Sequence, residues 1–239
     1  MRKPTRAMLL QGKAEFEAIK KKKKISTDPR YTAPVTRVSA RLRKVIDMPS
    51  ADWEFVVFED RSPNAFVLPG GKVGINTGLF RIIDSDALLA AVLGHEISHA
   101  TSAHADERLM RGLLAIIGGA VLWKAIDEND HHSPETVLAA YAAAVYICDS
   151  LPLSRHQEFE SDRMGAIFMA RAGYDPRESL KLWRKLEHFH IKHGKRKPHF
   201  LRTHPPDAKR IHALLDFMPV AVHHYENTLR NSKSKTHDR

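Results

Sequence analysis

The sequence predicts an α+β fold, mostly helical, with a small β-sheet or hairpin beside a helix that carries the pattern H-E-x-x-H. Three observations predict it. Strand-like runs are confined to residues 53–76. Apolar residues recur at helical spacing on both sides of that region. Finally, His95-Glu96-Ile97-Ser98-His99 follows directly on the apolar run Ala87 to Gly94, the mark of a helix buried on all sides. A chain of 239 residues is long enough for one domain with a sizeable core.

In order, residues 6–24 read as a helix ending in lysines. Pro34 precedes a second helix, Val35 to Ile46, with Val35, Val38, Leu42 and Ile46 on one stripe. Trp53 to Phe58, Ala65 to Leu68 and Lys72 to Asn76 read as strands, with Pro69-Gly70-Gly71 as a turn. The motif helix is expected over Ser85 to His104. A helix 108–126, a polar loop Asp127 to Ser133 and a helix from Pro134 to about Asp149 should follow. Pro152 breaks the chain before a helix 155–172, which Gly173 ends. Pro176 starts a helix to about His190, and Asp207 to Phe217 is the last. The expected division is an N-terminal helical segment 1–34, a catalytic domain 35–217 and a partly disordered basic tail 218–239.

Net charge is +10, gathered in Lys20 to Lys24, Lys192 to Lys197 and the tail from Arg230. Such runs suit solvated helix ends or peripheral contact with anionic lipid. No aromatic residues interleave with them and no base-reading motif is present, so nucleic acid is not an expected partner. Cys148 is the sole cysteine, which excludes a disulfide framework. The first residues lack the apolar core of a signal peptide, so either the protein is not exported or the sequence starts after processing. The apolar run Gly112 to Val121 is too short to cross a bilayer, which needs roughly 20 residues.

On a helix, His95 and His99 share a face and can aim two ring nitrogens at one point. Neutral imidazole at that point suits Zn²⁺. Glu96, one residue on, lies beside the metal and is placed to take a proton from a water activated there. A third protein ligand is needed. Glu158 supplies a carboxylate on a later helix, and Asp162, four residues on, can orient a ligating imidazole. Glu160 lies about 200° around the helix from Glu158 and faces Arg163 and Met164, as a peripheral ion pair would.

These residues carry a resemblance. The chain is similar to the zinc metallopeptidases that include HtpX, BepA and the CAAX prenyl endopeptidases, and within them most resembles the Oma-type peptidases. The stretches that match are Asn64-Ala65-Phe66-Val67-Leu68-Pro69-Gly70-Gly71 with Asn76-Thr77-Gly78, Gly94 to His99, Ser154 to Asp162, and Thr203-His204-Pro205 with Arg210-Ile211. One departure is Ser161, where the family segment carries Ala. The resemblance implies a zincin-like catalytic domain of the gluzincin type, with one Zn²⁺ on His95, His99 and Glu158. Glu96 would be general base and then general acid. His204 would stabilise the oxyanion. Asp162 and Arg155 would support the ligands from behind. Asn64, Ala65, Phe66, Val67 and Leu68 would form the edge that pairs with substrate.

The implied activity is zinc-dependent hydrolysis of extended or misfolded protein segments, in envelope or membrane protein quality control. Protein or peptide substrates are the expected partners. The resemblance implies the periplasmic side of the bacterial envelope, membrane-associated, with the mitochondrial inner membrane or the cytoplasm as alternatives. A chaperone-like binding protein with a closed or structural zinc site is the competing reading. His104 falls off the metal face, His131-His132 read as plain loop, and Trp123 and Trp183 as core or interface anchors.

Overall fold

The structure is a computed structural model that describes residues 5–102, 155–193, 200, 203–204 and 208–237. Within them lie helices α1 (Arg6–Lys22) and α2 (Pro29–Arg43), strands β1 (Glu54–Phe58), β2 (Ala65–Leu68) and β3 (Lys72–Asn76), and a 3₁₀ turn Thr77–Arg81. Helices α3 (Asp86–Thr101), α4 (Arg155–Arg171), α5 (Glu178–His193) and α6 (Ala208–His237) follow. The expected helices 108–126 and 134–149, the loop between them, and His104, Trp123 and His131-His132 lie outside the described residues.

The sheet order is β1-β3-β2. β2 and β3 form an antiparallel hairpin whose turn uses Gly70 and Gly71 at φ of 85° and 82°, a region only glycine enters cheaply. β1 joins the other side of β3 in parallel, with Glu54 opposite Lys72. On one face α1 seals the sheet: Phe16 is fully buried and meets Phe58 and Phe66 edge-on at 6.2 and 6.4 Å. A Cβ on Gly12 would stand 2.2 Å from the Pro69 carbonyl oxygen, so α1 crosses the hairpin turn in direct contact.

Two helices differ from the sequence expectation, both at a proline. α2 starts at Pro29, with Asp28 as N-cap accepting from Arg30 N–H at 2.9 Å, and runs through Pro34. α6 does not stop at Phe217 but continues through Pro219 to His237. An interior proline removes one hydrogen bond and costs ~3 kcal/mol or more. In both cases the carbonyl that loses its donor belongs to an exposed residue, Arg30 or Leu215, where water can take over. In α2 half-buried Tyr31 packs on the core before the proline and buried Val35, Val38 and Leu42 after it; in α6 buried Leu214 and Met218 precede Pro219 and Ala221 follows it. α4 ends as expected. Gly173 has φ 77°, Tyr174 N–H reaches the Met169 carbonyl at 2.9 Å and Gly173 N–H the Ala170 carbonyl at 3.0 Å, the paired bonds of a Schellman cap.

α3 is the axis of the core. Ser85 caps it through Leu88 N–H at 3.2 Å, and every residue from Leu88 to His99 is buried. It has α2, α4, α5 and β2 as neighbours. Its approach to α4 needs two glycines: a Cβ on Gly94 would meet the Gly165 carbonyl at 2.9 Å, and one on Gly165 the His95 amide at 2.9 Å. Among the described residues no helix is long and apolar enough to cross a membrane.

Candidate metal centre

The glycine contact sets the geometry of everything built on it. With α3 and α4 touching at Gly94 and Gly165, side chains one and two turns away along α4 reach the α3 histidines. Glu158, Ser161, Asp162 and Gly165 lie at helical spacings of three and four and so form one stripe facing α3. On α3, His95 and His99 stand edge-to-face with ring centroids 4.7 Å apart and Nε2 atoms 3.1 Å apart. The Glu158 carboxylate lies 3.5 Å from His95 Nε2 and 3.4 Å from His99 Nε2.

His204 completes the group more intimately than the sequence suggests. Its Nδ1 lies 3.1 Å from His95 Nε2 and 3.0 Å from Glu158 Oε1. Its Nε2 faces Glu96 Oε1 at 3.3 Å. His95, His99, Glu158 and His204 each offer one donor atom, all four within 4.8 Å of one another, and all four residues are buried. Glu96 is buried beside this set rather than in it.

Each histidine is held from behind. His95 Nδ1 faces Asp162 Oδ1 at 3.0 Å, and His99 Nδ1 faces Ser161 Oγ at 3.1 Å. With protons on those Nδ1 atoms, both Nε2 lone pairs point at the same place as the Glu158 carboxylate. Lone pairs converging without a shared donor repel one another, and a cation removes that repulsion. The charges agree: Glu96, Glu158 and Asp162 bring three buried carboxylates and Arg210 one guanidinium. Buried charge on that scale needs a counter-charge, from a protonated imidazole or from a bound cation. The donor set therefore fits a metal ion.

The same neighbours shift the titrations of these groups. Burial opposes a charge on His95, but Asp162 and Glu158 outweigh it and push the imidazole up to about 9. Burial, together with repulsion from His95 and His204, holds His99 well below its usual value. Burial would raise Glu158, yet His204, followed by hydrogen bonds from the histidines, keeps it well below the usual carboxylate range.

Arg210 emerges from the structure as a site residue that the sequence marked only as part of a matching stretch. Its Nε and Nη2 grip both Asp162 oxygens at 2.9 Å, and its Nη1 reaches Glu158 Oε2 at 2.7 Å. The guanidinium lies 4.1 Å from the Trp183 ring centroid, and that ring is edge-on to His95 at 5.7 Å. Trp183 is thus a wall of the site as well as core, with Phe200 stacked on it at 6.3 Å and tilted on His204 at 4.8 Å. Arg155, expected behind the ligands, is exposed at the start of α4, and the buried guanidinium on the site carboxylates is Arg210's. Glu160 accepts from the Ser102 hydroxyl at 3.0 Å, at the C-terminal end of α3.

β2 runs beside α3. Asn76 N–H donates to the Asn64 carbonyl at 2.9 Å, which fixes the alternation along the hairpin. Asn64, Phe66 and Leu68 turn their backbone groups toward β3, while those of Ala65 and Val67 point to the outer edge. Among the described residues β2 pairs only with β3, so that edge is open.

The sequence pattern of peptidase family M48 matches residues 29–217. The chain is 35% identical over 184 residues to the mitochondrial metalloendopeptidase OMA1 of Saccharomyces cerevisiae, covering 74% of this chain and 50% of that protein. Against the human metalloendopeptidase OMA1 it is 30% identical over 222 residues, 89% of this chain and 42% of that one. Against the beta-barrel assembly-enhancing protease of Escherichia coli O157:H7 it is 27% identical over 192 residues, 77% and 38% respectively. The chain thus spans half or less of the length of these relatives.

Proposed function

The chain belongs to peptidase family M48, and from that premise we propose that it is a zinc-dependent endopeptidase whose metal is held by His95, His99 and Glu158. The observation that carries this is the convergence of buried donor atoms with a carboxylate, Glu96, beside them. Four ligands at about 2.05 Å from a common centre stand roughly 3.3 Å apart in a tetrahedron. His95 Nε2 and His99 Nε2 stand 3.1 Å apart, with the Glu158 carboxylate 3.5 and 3.4 Å from them, spacings at which these three could share one zinc ion.

When bound, zinc lowers the pKa of a water toward ~7 and polarises the peptide carbonyl. Glu96 takes the proton as that water attacks the carbonyl carbon, and returns it to the leaving amine. Asp162 and Arg210 hold His95 and Glu158 in place while charge shifts. A catalytic site keeps one position open for water. His204 Nδ1 lies 3.1 Å from His95 Nε2 and 3.0 Å from Glu158 Oε1, so His204 would move aside for that water. From there its ring donates to the oxyanion that forms on the carbonyl.

Substrate in this reading is an extended or misfolded segment that adds to the open edge of β2, through the outward backbone groups of Ala65 and Val67. Backbone pairing reads shape more than sequence, which suits protein quality control at a bacterial envelope or a mitochondrial inner membrane. The basic runs would bring the molecule to anionic lipid. The competing binding-protein reading has no use for a buried Glu96 beside the ligands.

Casein hydrolysis tests the proposal. Chelation should abolish cleavage and stoichiometric Zn²⁺ restore it. Hydrolysis that survives exhaustive chelation would overturn it.

A further inference from the structure

We propose that Ser161 is a positioning residue for the metal ligand His99. It rests on the metal reading above and concerns the position at which this chain departs from the segment it resembles. Ser161 is fully buried, and its Oγ lies 3.1 Å from His99 Nδ1. The α4 stripe therefore supplies three things from one helix face: a ligand in Glu158, a partner for His95 in Asp162, and a partner for His99 in Ser161.

The physical consequence follows from the tautomer. For His99 to offer Nε2 to a metal, its proton must sit on Nδ1. That N–H is buried against α4, where leaving a donor without an acceptor is costly. With the metal on Nε2, the Ser161 hydroxyl accepts it, which holds the ring angle. Alanine at this position has no acceptor to offer. The two histidines are held differently: Asp162 faces His95 Nδ1 with a full charge at 3.0 Å, whereas His99 Nδ1 faces the Ser161 hydroxyl at 3.1 Å. A hydroxyl orients the ring without adding a further buried negative charge to a site that already holds three carboxylates.

The test compares the full chain with Ser161→Ala and Ser161→Thr. Zn²⁺ affinity is measured at one fixed pH by competition with a chromophoric chelator, together with the melting temperature of the metal-free form and the visible spectrum of the Co²⁺-loaded form. Ser161→Ala should weaken Zn²⁺ binding by about 10-fold or more and alter the Co²⁺ bands, with the metal-free melting temperature unchanged. Ser161→Thr, which keeps the hydroxyl, should recover affinity. Alanine binding Zn²⁺ within about twofold of wild type would overturn the assignment. So would an affinity loss matched by a fall in metal-free stability, the signature of packing alone. Failure of the unaltered chain to bind Zn²⁺ would instead overturn the metal reading beneath it.

Discussion

At the residue scale, the choice between Glu158 and Glu160 is the sharpest. The two lie about 200° apart on α4. Glu158 is buried among the histidines, whereas Glu160 is half-buried and accepts from Ser102. Glu158→Ala should lose zinc and all hydrolysis. Glu160→Ala should keep both and lose at most about 1 kcal/mol of stability with its hydrogen bond. Metal analysis of the two purified variants decides it, and the reverse pattern would mean that α4 has been placed in the wrong register. His204→Ala asks a different question. As an oxyanion donor, its loss should lower kcat by ~10²-fold or more. A rise in activity would show that the ring only blocks the fourth position. His95 with His99, and Glu158 with Asp162, could be read as pairs on shared helix faces from their spacing, and Glu96 from its place in the H-E-x-x-H pattern. Arg210 was not: its partner Asp162 lies 48 residues away, and a single arginine near a helix start announces no such pairing.

Prolines misled the reading of elements. Pro34 and Pro219 look like boundaries, yet packing on the core carries each helix through: half-buried Tyr31 before Pro34 and Val35, Val38 and Leu42 after it, Leu214 and Met218 before Pro219 and Ala221 after it. Glycines were better guides, since Gly70, Gly71 and Gly173 sit where positive φ is required. The hairpin could be read from Pro69-Gly70-Gly71, but no local signal announced that β1 would join β3 in parallel. On β2, the Val67 N–H points away from β3, so Val67→Pro should leave the ladder intact while removing an edge donor. Peptide KM should rise with zinc content unchanged; unaltered kinetics would place substrate elsewhere. At the start of α3, Asp86 takes a 2.7 Å bond from Arg37 of α2, and that bond, ahead of the opposing effect of burial, holds its carboxyl below the usual value. A depressed carboxylate contributes stability above its unfolded pKa of about 4 and loses it as pH falls through the folded value. Asp86→Asn should therefore melt below wild type at neutral pH, with the gap closing in acid. A gap independent of pH would remove the ion pair from the account.

For the whole molecule, a few close approaches link sequence to chemistry. Gly94 and Gly165 let α3 and α4 touch, and that contact gathers two helices' worth of donors at one buried point. Trp183 and Phe200 wall the site with aromatic surface, and Arg210 joins Glu158 to Asp162. The mostly helical α+β class and the motif helix follow from hydrophobic pattern alone. The way distant segments such as His204 close over the cluster comes from packing. We propose that this buried cluster hydrolyses peptide bonds with Glu96 as the proton carrier. Its most direct test is to measure zinc content, melting temperature and casein cleavage together for wild type and Glu96→Gln. Unchanged zinc content and fold with no turnover is the predicted result; substantial cleavage by the glutamine variant would contradict it.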